Sequence, residues 1–190
     1  MVIKRIKKLI NGKKTQNEKM KKLNIGCGKT PKKGFVNLDV EEYKTNDITW
    51  NLDKFPYPIK DDDFDYAEAI QVMEHLENTT RILEELNRII IKGGILHIEV
   101  PYFRNTQAYA ITHKRFFSIC MWRILTGEVK ATSNINQNLF KIKKIRLSFR
   151  LLYRLIGISF FANKFPQVYE DLLGHLFPAT DIILDLECSK

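Results

Sequence analysis

Short apolar runs alternate with polar turns along the first hundred residues. The runs typical of buried strands are KKLNI (21–25), GFVNLDV (34–40), DITWNL (47–52), FDYAEAI (64–70) and ILHIEV (95–100). Between the last two, residues 79–91 carry isoleucine and leucine at helical spacing, and Gly93–Gly94 is predicted to end that helix. Strands interleaved with helices and short loops predict an α/β fold built on a doubly wound parallel sheet.

The later part of the chain continues this pattern. FFSICMWRILTG (116–127) predicts a helix that Ser118 caps and Gly127 ends. KIKKIRLSFR (141–150) alternates apolar and basic residues, as expected of an edge strand, and DIILDLEC (181–188) is typical of a closing strand. Because no repeat or Pro- or Ser-rich linker interrupts the chain, we predict a basic tail at 1–22 and a single domain at 23–190.

The positive charge is concentrated in that tail. Of the formal net charge of +9, residues 1–22 contribute +8, from nine Lys or Arg and one Glu, so residues 23–190 are nearly neutral. A neutral body disfavours a nucleic-acid partner. On a helix, the apolar residues of the tail share one face opposite lysines, which is typical of weak contact with a membrane surface. The alternative is a solvated tail. The apolar residues are Val2, Ile3, Ile6, Leu9 and Ile10.

Cysteine usage and hydropathy bear on the compartment. Three cysteines are an odd number without metal-ligand spacing, as expected of a reduced protein. No apolar run approaches the roughly 18 residues of a membrane-spanning helix, and the start lacks the apolar core and cleavage site of a secretory signal. We therefore predict a cytoplasmic protein that contacts a membrane, if at all, peripherally through its tail.

The stretch LNIGCGKTP (23–31) ends the first predicted strand with two glycines one residue apart. Glycines allow positive φ and close backbone approach, and their amides can face an anionic group. A dinucleotide site requires G-x-G-x-x-G and an acid about 20 residues on. Here Pro31 takes the third position and Asp39 follows Gly26 by only thirteen residues, which disfavours a nicotinamide cofactor. An acid ending the second strand can still accept hydrogen bonds from both ribose hydroxyls of a nucleoside.

Two long segments, LNIGCGKTPKKGFVNLDV (23–40) and FDYAEAIQVMEHLENTTRILEELNRIIIKGGILHIEVPYF (64–103), together resemble the class I S-adenosylmethionine-dependent methyltransferases, in the type 11 branch. THKRFFS (112–118) and YEDLLGHLFPATDIILDLE (169–187) extend the resemblance over residues 22–188. It implies a Rossmann-like, mostly parallel sheet with an antiparallel C-terminal strand, S-adenosyl-L-methionine as cofactor, and methyl transfer.

The resemblance also implies a set of cofactor-binding positions around the glycine loop and the next strand ends. The loop would wrap the methionyl end, Asp39 would bind the ribose hydroxyls, and Gln71 would lie under the sulfonium. Val40, Asn51 and Leu52 would contact the adenine, and Cys27 itself is expected to fill space. The full set is Asn24, Gly26, Cys27, Gly28, Asp39, Val40, Asn51, Leu52 and Gln71. Because only nine residues separate Ile25 from Phe35, we expect the first helix to be reduced to a turn or two.

The candidates for the acceptor side follow the fourth and fifth strands. His75 in MEHL and His113 in THKRFF are candidate general bases, although either can instead order a loop. Tyr102, Arg104, His113 and Arg115 are candidates for binding the acceptor, and an arginine there would hold an anionic group. Some related O-methyltransferases bind a divalent cation through E-x-x-E-H, but Gln71 replaces the first Glu here, so we expect no metal.

These features predict a methyltransferase that acts on a small molecule or a glycan component, most simply at a hydroxyl oxygen. A base-modifying enzyme would carry an N/D-P-P-Y/F motif after the fourth strand, where AIQVMEH stands instead. Two alternatives remain open at this point. One is a nucleic-acid methyltransferase that uses the basic tail, and the other is a non-catalytic scaffold that retains the cofactor.

Overall fold

The computed structural model describes residues 20–44, 46–132 and 135–190. The apolar face predicted for the tail, between residues 2 and 10, lies outside the described residues. None of the helices in the described ranges combines the length and the apolar content needed to cross a bilayer.

Within the described ranges, seven strands form one mixed sheet in the order β3-β2-β1-β4-β5-β7-β6. Strands β1 to β5 pair in parallel, and β7 is antiparallel to both β5 and β6. This arrangement confirms the Rossmann-like, mostly parallel sheet with one antiparallel C-terminal strand. The strands are β1 (Lys22–Ile25), β2 (Val36–Asp39), β3 (Ile48–Thr49), β4 (Phe64–Ile70), β5 (Ile90–Pro101), β6 (Phe140–Leu147) and β7 (Asp181–Cys188).

The helices are α1 (Thr79–Ile89), α2 (Ile119–Leu125), α3 (Leu151–Leu155), α4 (Ile158–Lys164) and α5 (Pro166–Val168), and α5 continues into a π-helical turn at Tyr169–Leu173. Short 3-10 turns lie at Met73–His75 and Thr106–Tyr109. The predicted cap of α2 is confirmed, since the Met121 amide donates to Ser118 Oγ at 3.0 Å. Asn78 caps α1 in the same way.

The core lies on both faces of the sheet. Buried apolar side chains of β1, β4, β5 and β7 form one cluster with the apolar face of α1 and with Trp122 and Phe117. Phe117 stacks on Trp122 with ring centroids 5.4 Å apart. This burial holds the strands in register and so fixes where their ends point.

One boundary prediction was wrong. Helix α1 ends at Ile89, and Gly93–Gly94 lie inside β5 instead of ending the helix. Ile90 is already extended and pairs with Phe64 of β4, and the register then shifts between Phe64 and Tyr66. Gly93 has a φ of +79°, which favours glycine, and a Cβ on Gly94 would lie 2.9 Å from the Asp65 carbonyl oxygen. The glycines therefore serve an irregularity in the sheet.

The connection between β1 and β2 contains less helix than predicted. Residues 26–35, all of them described, contain hydrogen-bonded turns and no helix, whereas the sequence predicts a turn or two of helix. The Thr30 amide donates to the Cys27 carbonyl and the Phe35 amide to the Lys32 carbonyl. Similarly, the apolar run at 47–52 forms a strand only at Ile48–Thr49.

Candidate active site

Four strand ends meet at one edge of the sheet. Strands β1, β2, β3 and β4 are parallel, so their carboxyl ends lie side by side, and the strand order reverses between β1 and β4. Ligands of open α/β sheets bind at such a point. A cleft of about 410 Å³ lies there, within the usual range for a small-molecule site. It is lined by Gly26, Asp39, Val40, Asn51, Leu52, Asp53, Gln71, Val72, His75, Leu76 and Lys114.

The structure brings six of the nine predicted cofactor positions to this cleft, namely Gly26, Asp39, Val40, Asn51, Leu52 and Gln71. A larger cavity of about 670 Å³ lies among residues of α3 and α4. It is away from the strand ends, so it does not compete as the cofactor site.

The carboxylate of Asp39 is held rigidly by the backbone around it. The Gly28 amide donates to Oδ2 at 2.8 Å, and the Glu41 amide donates to Oδ1 at 3.1 Å. A carboxylate offers about four lone-pair positions, so each oxygen keeps acceptor capacity toward the cleft. Two hydroxyls of a ribose can therefore bind a carboxylate that is already oriented.

The glycine loop approaches Val72, in the turn after β4, so closely that a side chain cannot replace Gly26. Its φ is +65°, and a Cβ there would lie 2.4 Å from Val72 Cγ2. Gly28 also has a positive φ of +53°, but a Cβ there would meet nothing within 4 Å. The first glycine is thus required by both conformation and space, and the second by conformation.

Gln71 has an unusual backbone at the end of β4. Its φ is +55°, in the left-handed region that non-glycine residues seldom adopt. The Gln71 amide donates to the Glu99 carbonyl, and its side-chain nitrogen donates to Asp181 Oδ1 at 3.1 Å. Strained residues of this kind cluster at ligand sites. The turn places Gln71 in the wall of the cleft.

Three of the predicted cofactor residues, Asn24, Cys27 and Gly28, do not line the cleft. Asn24 is buried in β1 and donates to Asn37 Oδ1 at 3.0 Å. Cys27 is buried, and that burial raises the pKa of its thiol, with the charge of Asp39 acting in the same direction. A protonated thiol is a poor nucleophile, which agrees with a space-filling role. Gly28 contributes its amide to Asp39 and does not line the cleft.

His75 and His113, which are 38 residues apart in sequence, lie against each other. Their ring centroids are 4.8 Å apart and their planes are nearly perpendicular at 85°. His75 follows β4 in a 3-10 turn and lines the cleft, whereas His113 lies in the loop after β5. The sequence suggested each as a separate candidate base and gave no sign that they form a pair.

A set of hydrogen bonds fastens the loop of His113 to the turn of His75. The amides of Lys114 and Arg115 donate to the Glu74 carbonyl at 2.7 and 3.2 Å. Lys114 Nζ lies 2.6 Å from Glu77 Oε1. Because two of these contacts are made by backbone atoms, they depend little on the side chains beside the two histidines. They keep the loop of His113 next to the turn of His75.

Glu74 was not predicted to have a role, yet its environment is the most unusual in the site. The residue is 1% exposed, and neither carboxylate oxygen has a hydrogen-bond partner among the described residues. Burial raises the pKa of Glu74, while its own backbone amide and then the nearby His75 and His113 oppose that shift. One oxygen of Glu74 and one nitrogen of each histidine lie within 4.8 Å of one another.

The remaining acceptor candidates do not line the cleft. Tyr102 is fully buried and packs against Tyr169, with ring centroids 6.1 Å apart. Arg104 donates to the Glu170 carbonyl and lies over the ring of Phe103. The guanidinium of Arg115 donates to the Glu77 carbonyl, beside a separate cavity. Their predicted contact with an acceptor would need the loop after β5 to rearrange.

Four residues of the cleft wall were not predicted from the sequence, namely Asp53, Val72, Leu76 and Lys114. Asp53 directly follows Leu52, and its Oδ1 accepts from the Glu77 amide at 2.9 Å, which joins the loop after β3 to the turn after β4. Asp53 could have been predicted from the sequence, because it directly follows the predicted residues Asn51 and Leu52. Lys114 reaches the cleft through the return of its loop, which no local pattern predicts.

Comparison with known proteins bears directly on this site. A family model described as a methyltransferase domain matches residues 26–98, from the first glycine of the loop to the middle of β5. That segment contains every predicted cofactor position except Asn24. This match, together with the solved structures below, supports a class I S-adenosylmethionine-dependent methyltransferase of the type 11 branch. The cofactor of this methyltransferase is S-adenosylmethionine. Six of the predicted cofactor-binding residues line the cleft at the strand ends.

Solved structures agree in fold. An S-adenosylmethionine-dependent methyltransferase from Archaeoglobus fulgidus is 17% identical with a TM-score of 0.59, and the match covers 98% of this chain and 92% of that one. One from Mesorhizobium loti is 12% identical with a TM-score of 0.55, covering 88% and 90%. The [4+2]-cyclase SpnF is 16% identical with a TM-score of 0.58, covering 97% and 80%. A search of curated proteins found no significant match.

At these identities the structural likeness establishes the fold alone. SpnF illustrates the point, because a protein described as a cyclase has the same architecture. The assignment of this methyltransferase therefore depends on the family model together with the glycine loop and Asp39.

Proposed function

We propose that this methyltransferase transfers the methyl group of S-adenosylmethionine to a hydroxyl oxygen of a small molecule or a glycan component. The sulfonium is already activated, so the protein mainly has to align donor and acceptor in line. A hydroxyl also has to lose its proton, and that requirement distinguishes an oxygen acceptor from a thiol. The observation that carries the proposal is a pair of imidazoles, in which His75 lines the cleft and His113 lies against His75.

The hydrogen bonds of the two imidazoles support such a role. Nδ1 of His75 lies 3.2 Å from the Thr112 carbonyl oxygen, and Nδ1 of His113 lies 3.1 Å from the Ala108 carbonyl oxygen. A carbonyl oxygen only accepts, so each Nδ1 carries a proton and donates it. In the neutral ring, Nε2 is then left with a free lone pair. Both histidines can therefore interact with an acceptor hydroxyl as bases or ligands.

The surface next to His113 suits a ring-bearing acceptor. Tyr109 and Phe116 are exposed and lie against each other with ring centroids 4.9 Å apart, and Ile111 between them is fully exposed. Sugar rings and phenols both bind to aromatic faces of this kind. Nearly neutral charge in residues 23–190 disfavours a nucleic-acid acceptor.

The cofactor site is tested by replacing Asp39. Asp39→Asn removes a charge that accepts from two ribose hydroxyls, and we expect S-adenosylmethionine to bind at least 100-fold more weakly by titration calorimetry. Asp47→Asn is the matched control, because Asp47 accepts from the Asn37 amide at 2.7 Å but does not line the cleft. Equal weakening in both variants would mean that Asp39 acts only by ordering the loop.

The acceptor atom is tested by product analysis. Isotopically labelled cofactor is incubated with free hexoses, uronic acids, catechols, amines, thiols and short nucleic acids, and the methylated position is read by NMR. Methylation on oxygen, with kcat lowered in His113→Gln at unchanged cofactor affinity, supports the proposal. Methyl transfer to nitrogen, sulfur or a nucleic acid overturns it.

A further inference from the structure

We propose that Glu74, His75 and His113 form a binding site for one divalent transition-metal ion at the mouth of the cleft. The use of that ion in catalysis rests on the proposed function, whereas its binding does not. The sequence predicted no metal because Gln71 replaces a carboxylate of a known cation motif. In the structure the Gln71 side chain donates a hydrogen bond to Asp181. His113, from another loop, lies beside Glu74 and His75 in place of a third residue from the motif.

The three side chains offer a donor set that suits a metal ion. One carboxylate oxygen and two imidazole nitrogens lie within 4.8 Å of one another, so small side-chain rotations bring all three to one ion. Two histidines and one carboxylate suit Zn²⁺, Mn²⁺, Fe²⁺ or Co²⁺ better than Ca²⁺, which takes mostly oxygen ligands. Such a site also leaves coordination positions open for an external oxygen.

The hydrogen bonds of the two imidazoles also favour metal binding, because they fix the tautomer of each ring. Metal-binding histidines usually donate the other ring N–H to a carbonyl or carboxylate, which fixes the tautomer and the ring orientation. The Nδ1 atoms of His75 and His113 both donate to backbone carbonyls of the 108–112 segment. The Nε2 lone pairs are therefore oriented by the backbone and available to an ion.

The buried carboxylate of Glu74 is a further reason to expect a cation. Glu74 is 1% exposed and neither oxygen has a partner among the described residues, although an unpaired buried charge is strongly unfavourable. Lys114 contacts the Glu74 carbonyl through its backbone amide, but its ammonium group pairs with Glu77 Oε1 at 2.6 Å. A bound divalent ion would satisfy the Glu74 carboxylate.

The ion has a clear chemical use. It binds the acceptor hydroxyl, lowers the pKa of that hydroxyl, and the proton leaves to water. The alkoxide oxygen then forms a bond to the methyl carbon while the S–CH₃ bond breaks and its electron pair returns to sulfur. In this role the histidines act through the ion, and neither takes the proton itself.

The test measures metal binding by itself, without cofactor or acceptor. The full chain is stripped with EDTA, and Co²⁺ is titrated in while the visible absorption bands and the heat are recorded. We expect one ion per chain, with affinity at least 100-fold weaker in Glu74→Gln and in His113→Gln. His175→Gln is the matched control, because it removes a histidine outside the cluster, and it should bind as the native chain does.

Thermal unfolding separates a binding role from a structural one. We expect Glu74→Gln to leave the metal-free chain as stable as the native chain, and to lose the rise in Tm that the native chain shows with Co²⁺ or Zn²⁺. Absence of binding, or equal binding in all variants, overturns the site. Tight binding with methyl transfer that is unaffected by EDTA overturns the catalytic role of the ion while the proposed O-methylation stands.

A second inference comes from a different part of the chain. Residues 140–176 contain seven Lys or Arg and two acids, Asp171 and the buried Glu170. Along α3, α4 and the turns that follow, large apolar side chains are exposed instead of buried, namely Leu151, Leu152, Leu155, Ile156, Phe160, Phe165, Val168, Leu172 and Leu176. We infer that this face, which we call the α3–α4 face, docks on an anionic lipid bilayer.

Charge and shape both favour lipid as the occupant. Arg150, Arg154 and Lys164 form no ion pair with a described carboxylate, and they flank the apolar residues as cations flank an interfacial helix. The cavity of about 670 Å³ in this face is lined by Arg154 and Lys164 as well as by Leu155 and Phe160. Cations beside apolar side chains match a phosphate headgroup and the start of an acyl chain.

The test is co-sedimentation of the full chain with vesicles of phosphatidylcholine, with or without 30% phosphatidylglycerol. We expect binding to the anionic vesicles only, and at least a tenfold loss in the double variant Leu155→Glu, Phe160→Glu. Both side chains are 74% exposed, so the fold should persist. Ile111→Glu is the control, because it changes an exposed apolar residue outside this face. Unchanged vesicle binding by the double variant, or a dimer in lipid-free solution that it dissociates, overturns the inference.

Discussion

Two parallel crossovers of the same sheet are built in opposite ways. Residues 26–35 join β1 to β2 by turns alone, whereas residues 71–89 join β4 to β5 through the 3-10 turn and helix α1. The first crossover places Gly26 in the cleft wall and donates the Gly28 amide to Asp39 at the end of β2, whereas the second buries an apolar helix face. The comparison teaches that a crossover without a helix can hold a cofactor loop, provided that other contacts replace the missing packing.

In the first crossover those contacts are polar. Asn37 Oδ1 accepts from the Lys32 amide and from Asn24, and Asn37 Nδ2 donates to the carbonyls of Lys32 and Phe35. One buried side chain thus satisfies several backbone groups of a loop that has no helix to do so.

In the second crossover the contacts are apolar, with one ionic network at the end of the helix. Arg88 pairs with Glu85 at 2.5 Å and also donates to the carbonyls of Ile59 and Tyr57. Burial alone would raise the pKa of Glu85, but hydrogen bonds from Arg88 and from the Tyr57 amide hold that pKa below its usual value. The network fastens the loop before β4 to α1.

The largest effect on stability is expected in the first crossover. Gly26→Ala combines a positive φ with a Cβ 2.4 Å from Val72 Cγ2, and we expect a loss of about 3 kcal/mol in the free energy of unfolding. Gly28→Ala has the same conformational strain without the clash, so about 1 kcal/mol is expected. Urea denaturation of both variants provides the measurement.

The double variant Gly26→Ala, Val72→Ala tests the cause. Removing the Val72 methyl groups should restore part of the loss by making space. If Gly26→Ala and Gly28→Ala are equally destabilised, the close approach of the loop to Val72 does not matter, and the contrast between the crossovers loses its main support.

An intermediate effect is expected at the helical crossover. Arg88→Met leaves Glu85 buried with one amide donor, and we expect a loss of about 2 kcal/mol by urea denaturation. Asp61→Asn removes the other ionic partner of Arg88, but Asp61 is largely exposed, so we expect less than about 0.5 kcal/mol.

The stability that this network contributes should depend on pH. Because the folded-state pKa of Glu85 is lowered, its stabilisation is present above the unfolded pKa near 4.5 and is lost as the pH falls through the folded value. Arg88→Met should therefore cost more at pH 7 than at pH 3. A cost that does not change with pH would assign the effect to packing of the Arg88 stem.

A smaller effect than that of Arg88→Met is expected at the start of α1. Asn78→Ala removes the cap on the Arg81 amide and should cost about 1 kcal/mol, whereas Asn78→Ser should retain most of the stability. Chemical denaturation of the two variants distinguishes them. Equal losses would show that the Asn78 side chain matters for the preceding turn instead of the cap.

Local chemistry made much of this molecule predictable. Apolar runs bounded by turn residues predicted β1, β4 and β7 closely, and the Ser118 cap is confirmed. The end of α1 was not predictable in the same way, because isoleucines at 89–91 suit a helix and a strand alike. Pairing of Ile90 with Phe64 decided it.

What the sequence by itself determined is the order of elements and the glycine loop followed by Asp39, because turn chemistry and burial of apolar runs act over a few residues. Tertiary structure alone decided which loops meet at the cleft. Glu74 and His113 are 39 residues apart, and they come together because the loop after β5 returns and donates two amides to the Glu74 carbonyl. Contacts of that kind depend on strand register and loop path, which no local pattern of residues records.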